Sequence, residues 1–396
     1  MFNEIELSSV ITDIAAGPFG SNLKVSCFVP YGFPIIDGAN LKGFKVTDNL
    51  TKFVTKDKAR SLSRSIARRG DVVVTISGTL GQIAYIPDDS MFEEYLCSQR
   101  QFRVSFDASR VYVPYLVFYF HTKEGQSKIL AFANQTGVPA LSQPLKNFKK
   151  IRIRLPSYNE QRKIASVIES INDKIECNQK INDNLEQQAR ALFEQKFIAE
   201  DIDGEERPLY DFAAYINGAA FKPSECGDQG LPIIKIAELK NGITDSTRYY
   251  DGFKGEKYLV QNKDILFSWS GNPDTSIDIF IWTHGKAILN QHTFNVKSNT
   301  GHRWFTFLML KYFKPEFSRI ASNKQTTGLG HVTAKDLKRL TFIFNESAID
   351  AFEREVSPFM EMVYSNMMEN QRLAQLRDNL LPRLMSGEID ASNIQL

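Results

Sequence analysis

Cysteine is scarce and unpatterned. Cys27, Cys97, Cys177 and Cys226 are scattered over 396 residues with no CxxC pair. That excludes a disulfide framework and a thiolate metal site, and fits reduced thiols in the cytoplasm. The five histidines, at 121, 284, 292, 302 and 331, show no ligand spacing. No apolar run of ~20 residues is present, and no charged-then-apolar leader opens the chain, so no membrane role is expected. Catalytic motifs are missing too. Gly78-Thr79-Leu80-Gly81-Gln82 lacks the Gly-Lys-Ser/Thr ending of a phosphate loop. Asn272-Pro273-Asp274 lacks the second proline and the aromatic that would hold a flipped base. Pro87-Asp88 is followed by Glu93-Glu94 without the Glu-x-Lys of a nuclease site. No catalytic residue, metal or cofactor is expected in this chain.

What is present is a repeat. Pro34-Ile35-Ile36 before Leu41-Lys42 recurs as Pro232-Ile233-Ile234 before Leu239-Lys240. The run from Asp71 to Ser77-Gly78 recurs from Asp264 to Ser270-Gly271, and Gln99 with Phe102-Arg103-Val104 recurs as Gln291 with Phe294-Asn295-Val296. Gln135-Thr136-Gly137 before Leu145-Lys146 recurs as Gln325-Thr326-Thr327-Gly328 before Leu337-Lys338. The period is far longer than the ~20–50 residues of a solenoid unit, so the repeats are whole domains. Val72–Ile76 and Ile265–Trp269 read as strands, Ile151–Leu155 alternates as a strand does, and Tyr112–Phe120 and Trp304–Phe313 read as helices packed on a sheet.

Each copy ends in a long amphipathic helix. The first places Ile164, Ile168, Ile171, Ile175, Asn178, Asn182 and Leu185 on one stripe. The second places Phe352, Val356, Phe359, Val363, Asn366, Asn370 and Leu373 on another. Spacing near 3.5 residues is a coiled-coil seam, and asparagine within a seam gives up stability to specify register and partner. Pairing within one chain is favoured by its high effective concentration. The predicted fold class is α+β: two tandem globules, each followed by a long helix, the helices pairing as an antiparallel coiled coil. The segments are 1–158, 159–206, 207–345 and 346–396.

Charge sorts with these segments. The whole chain carries only +2, yet the successive segments carry +7, −6, +6 and −5. Two basic globules joined by two acidic helices suggest polyanion-binding lobes on a spacer that avoids the polyanion. Arg64, Arg68 and Arg69, or Lys146, Lys149 and Lys150, could neutralise phosphates. A helix from about Asn159 to Phe197 extends ~55–60 Å at 1.5 Å per residue. That is about one and a half turns of B-DNA, enough to leave an unread stretch between two half-sites. A coiled-coil scaffold without nucleic-acid binding explains the helices but leaves the doubled charge pattern unaccounted for.

The helix junctions resemble a known family. Leu155-Pro156 with Asn159-Glu160-Gln161-Arg162-Lys163-Ile164 is similar to the Pro-x-x-x-Glu-Gln-x-x-Ile start of the central helix in DNA-specificity subunits of type I restriction–modification enzymes. Leu380-Leu381-Pro382-Arg383-Leu384-Met385-Ser386-Gly387-Glu388-Ile389 resembles that family's C-terminal signature, and the resemblance spans essentially the whole chain. The second helix departs from it, with Asn345-Glu346-Ser347 in place of Pro…Glu-Gln. The resemblance implies two target-recognition domains, each reading half of a bipartite double-stranded DNA sequence. It further implies two methyltransferase subunits on the helices and motor–nuclease subunits for restriction. S-adenosylmethionine, ATP and magnesium would belong to those partners.

On that basis Ser77, Thr79, Gln82, Gln135 and Thr136 are candidate base readers in the first lobe, with Ser270, Asn272, Gln325 and Thr326 as counterparts in the second. Arg100, Arg103, Lys146 and Lys149, with Lys324, Lys335 and Lys338, are candidate phosphate contacts. Glycine loops found in both copies are also what the fold's turns require. Inserting four residues, about one helical turn, after Glu176 should lengthen the unread spacer and leave both half-sites unchanged. Mapped methylation sites with the original spacing would refute the helix as a ruler.

Overall fold

The computed structural model describes residues 3–134, 138–198, 204–325 and 329–391. It divides into two compact units, Met1–Asp173 with Leu373–Leu396, and Lys174–Arg372. Each unit therefore combines one lobe with a portion of both long helices.

In the first unit, β1 (Ile11–Ala16), β2 (Val72–Thr75), β3 (Ile83–Tyr85) and β4 (Gln101–Phe106) form an antiparallel sheet in the order β1-β4-β2-β3. The alternation of a strand sends successive side chains to opposite faces. Val72 and Val74 join a core with Phe102, Val104 and the buried residues of helix Val113–His121. Val73 points the other way, into a core with Ile36, Ala84 and Cys97. The aromatic stretch is thus a helix on the sheet, as its composition suggested. Asp71 opens β2 by accepting the Arg68 N–H at 2.8 Å, and Asp264 accepts the Gln261 N–H at 3.0 Å in the second lobe. Their recurrence is explained by turn closure.

The second unit repeats the plan. Strands β5 (Ala213–Asn217), β6 (Ile265–Ser268), β7 (Asp278–Ile281) and β8 (Thr293–Ser298) take the order β5-β8-β6-β7, under a buried aromatic helix at Arg303–Tyr312. In both lobes a two-stranded ribbon leads into the long helix: Asn3–Glu6 with Arg152–Leu155, and Glu205–Pro208 with Thr341–Phe344. The outgoing strands of these ribbons bury alternate residues.

The central helix, Tyr158–Phe197, begins at a capping box. Both the N–H and the hydroxyl of Ser157 donate to the Glu160 carboxylate, at 2.9 and 2.7 Å. Gln161 is fully buried. Its amide N–H groups donate to the carbonyls of Arg110 (2.9 Å) and Pro156 (3.0 Å), and its oxygen accepts from the Tyr112 N–H at 2.8 Å. The Glu-Gln pair thus caps the helix and brackets it to the start of the lobe's aromatic helix.

The C-terminal helix, Glu346–Ser386, solves the same problem with other residues. Asn345 caps it, accepting from Ser347 N–H (3.0 Å) and Oγ (2.6 Å). Glu353 then accepts the N–H groups of Trp304 (3.1 Å) and Phe305 (2.8 Å), the unsatisfied donors at the aromatic helix's N-terminus. The altered junction keeps the lobe docked by placing a carboxylate where the first copy has a carboxamide.

The helices pair antiparallel. In the second unit Asn366 donates to the Asn182 side chain and Asn178 to that of Asn370, both at 2.8 Å. Phe193, on the same helix, lies in a ring cluster with Phe197, Phe305, Phe342 and Phe352. In the first unit Ile164 and Ile168 share a core with Leu381, Leu384 and Met385, and Arg377 donates to Asn172 at 3.1 Å. The deepest of the second helix's stripe positions include Phe352, Val356, Met360 and Val363, with Phe359 only partly buried. Among the described residues, no helix is long and apolar enough to cross a membrane. Replacing Gln161 with Ala strands one buried N–H and two carbonyls, and should cost about 1–3 kcal/mol. Chemical denaturation of the whole chain measures this, and an unchanged midpoint would show that the bracket carries no stability.

Candidate nucleic-acid interface

In each lobe the central strand, β2 or β6, runs out into the Ser-Gly segment. Gly78 N–H donates to the Pro139 carbonyl at 2.9 Å, and Ser77 forms a β-bridge with Ala140. In the second lobe Ser270–Gly271 pairs with Gly330–His331. Both glycines have positive φ, +97° at Gly78 and +129° at Gly271, a conformation that a side chain would strain. The Ser-Gly segment and the stretch just after the Gln-Thr-Gly signature therefore meet in both lobes. Gln135, Thr136 and Thr326 themselves lie outside the described residues. Gln325 is exposed just beyond helix Lys314–Asn323.

The structure gathers four of the first lobe's candidates. Ser77, Thr79, Gln82 and Arg100 line one concavity of about 660 Å³, with Gln99, Asp37 and Lys52 beside them. Arg100 is exposed there and its guanidinium makes no hydrogen bond or ion pair among the described residues. Gln82 is held differently. Its oxygen accepts from Thr75 Oγ1 at 3.1 Å and its nitrogen donates to the Gly38 carbonyl at 2.9 Å, so it braces the floor.

Three expectations need correction. Arg103 is only 8% exposed, and donates to Asp13 at 2.6 Å and to the Arg64 carbonyl at 3.0 Å. Its hydrogen bond holds the Asp13 carboxyl below the usual value. A phosphate contact is ruled out for it, because the guanidinium is already committed between strand and loop. Lys324 is paired with the buried Asp336 at 2.6 Å, which anchors the loop after its helix and leaves no free cation for DNA. Asn272 is exposed, but its side-chain oxygen caps a turn, accepting the N–H groups of Asp274 and Thr275 at 3.0 Å each. Only its amide nitrogen is left to act as a reader.

The lysines fare better. Lys146 and Lys149 are exposed on helix Pro144–Lys149, three residues apart and so on one face. Lys335 and Lys338 are exposed with the same spacing at helix Ala334–Leu337, and Lys338 lies 4.6 Å from the Tyr210 ring centre. Both short helices precede the last strand of their lobe.

One residue of the site escaped the sequence reading. Gln99 donates to the carbonyls of Gly20 and Leu23, both at 2.7 Å, and fixes the loop above the concavity. Its recurrence as Gln291 was the available signal. The arrangement supplies cations and hydrogen-bonding groups. Among the described residues, no group of His, Cys, Asp and Glu is placed to hold a metal.

Comparison with known proteins gives a consistent answer. The family description "Type I restriction modification DNA specificity domain" matches residues 28–187 and 202–350. The type I restriction enzyme MjaIX specificity subunit of Methanocaldococcus jannaschii is 24% identical over 367 residues, covering 85% of this chain and 81% of that protein. The HindI specificity subunit of Haemophilus influenzae is 21% identical over 413 residues, covering 83% and 88%. The crystal structure of the S subunit from M. genitalium has a similar fold, with a TM-score of 0.54 at 14% identity over 97% of this chain and 96% of that one.

Replacing Lys146 and Lys149 together with Glu should weaken DNA binding by the assembled complex for any sequence and flatten its salt dependence, by roughly one unit of slope per lost phosphate contact. Unchanged gel-shift titrations across salt would remove this helix from the interface.

Proposed function

The chain belongs to the family of type I restriction–modification DNA-specificity subunits, and from that premise we propose that each lobe reads one half of a bipartite DNA target. The observation that supports this most is the same surface built twice. In both lobes a Ser-Gly segment is bridged to the stretch after the Gln-Thr-Gly signature, with an exposed lysine pair on the short helix that follows. The lysines set position on the phosphates, while side chains at the Ser-Gly segment meet base edges. In the first lobe Arg100, exposed beside Ser77, is suited to guanine, whose O6 and N7 accept a bidentate guanidinium.

The paired helices form the platform on which methyltransferase subunits assemble, with motor–nuclease subunits joining for restriction. Methyl transfer and cleavage then fall to those partners, and this chain supplies the address. Co-expression with its methyltransferase subunit in a methylation-free host, followed by genome-wide mapping of modified adenines, should reveal two short half-sites around a fixed gap. Exchanging residues 1–150 for another lobe should change one half-site only. A contiguous motif, or a change in both halves, would refute independent reading by the lobes.

A further inference from the structure

Phe19 is 89% exposed, although its neighbours Gly17 and Pro18 are buried. Isolated apolar residues are common on protein surfaces, so exposure alone says little. The backbone around this one is held on both sides. Gly17 N–H donates to the Gln101 carbonyl at 2.8 Å, and a Cβ at Gly17 would lie 1.8 Å from the Ser98 carbonyl oxygen, so only glycine fits there. Beyond the ring, Asn22 N–H donates to the Phe19 carbonyl at 3.0 Å, Gly20 takes φ +47°, and Gln99 grips the Gly20 and Leu23 carbonyls. The restrained loop holds the ring out, next to the segment that carries Gln99 and Arg100.

The second lobe supplies an internal comparison. The strand registers Phe102↔Ala16 and Phe294↔Asn217 align Phe19 with Ala220. Gly218 repeats the close approach, with a Cβ there 2.2 Å from the Asn290 carbonyl oxygen. The same close approach of a glycine thus precedes an exposed methyl group in one lobe and an exposed phenyl ring in the other. The next residue, Phe221, packs edge-on to Tyr250 at 5.3 Å. The fold requires the glycine, and it does not require the ring.

We propose that Phe19 is an apolar wedge that inserts against a base step of the half-site read by the first lobe, partly unstacking it. This rests on the reading that the lobes face DNA. Rigid apolar side chains flanked by cations are what such insertion uses, because the exposed ring loses its contact with water and little loop entropy is lost on binding. The turn in the second lobe, with Ala220, has nothing to insert.

The test uses the full chain in complex with its methyltransferase subunit and target DNA carrying 2-aminopurine at successive positions of the first half-site. Fluorescence should rise at one step with the wild-type complex and stay flat with Phe19→Ala. Affinity for the target should fall roughly 10- to 100-fold in Phe19→Ala, as expected for losing the burial of a phenyl group on binding, while Phe19→Leu stays within a few-fold. Wild-type affinity in Phe19→Ala, or no brightening at any position although the complex binds its target, overturns the wedge alone. Loss of the methyltransferase subunit from Phe19→Ala also overturns it, since the ring would then be a protein contact. A wild-type complex that ignores the split target fails the underlying reading, and the wedge with it.

Discussion

Everything this protein presents to a target depends on how each lobe is fastened to a long helix. The fastening is a small set of buried hydrogen bonds at the N-terminus of the lobe's aromatic helix, made by Gln161 in one copy and Glu353 in the other. The first turn of any helix has N–H groups without internal partners. Burying that turn against another element is tolerable only if the other element supplies acceptors. Because the long helix supplies them, the lobe's orientation on its own helix is set by directional bonds as well as by apolar packing. The apolar contacts around them, Ile164 and Ile168 in one unit and Phe352 and Val356 in the other, add free energy without that directionality.

Much of this was legible in the sequence because it is periodic. The helical stripes, the asparagine pairs and the alternating run Ile151–Leu155 follow from spacing, the aromatic helices from composition, and each appears in the structure, the strand at Arg152–Leu155. The duplication made the reading safer, since two diverged copies agree chiefly where the fold compels them to. The asparagines were legible as register markers, and their pairing with each other across the seam follows once the helices run antiparallel.

The polar site was harder to read, for a physical reason. Whether a charged or amide side chain faces solvent depends on partners far away in sequence. Arg103 is claimed by Asp13, and Gln82 by Thr75 and Gly38. Lys324 is claimed by Asp336. Composition cannot separate a lysine held in an ion pair from one left free, so Lys324 and Lys146 looked alike. The Glu-Gln junction shows the reverse case. It was recognised as a pattern, and only the structure shows that Glu160 caps while Gln161 brackets.

The seam also has a temporal side. The central helix ends at Phe197 and its partner begins at Glu346. At ~5–20 residues per second, the ribosome needs roughly seven to thirty seconds to make what lies between them. During that interval the partner helix for the stripe from Ile164 to Leu185 does not yet exist, and neighbouring nascent chains carry the same stripe. Seam asparagines whose amide groups find each other, Asn178 with Asn370 and Asn182 with Asn366, only in the correct register make such encounters weak. What fixes register in the finished protein thus also disfavours mispairing during synthesis.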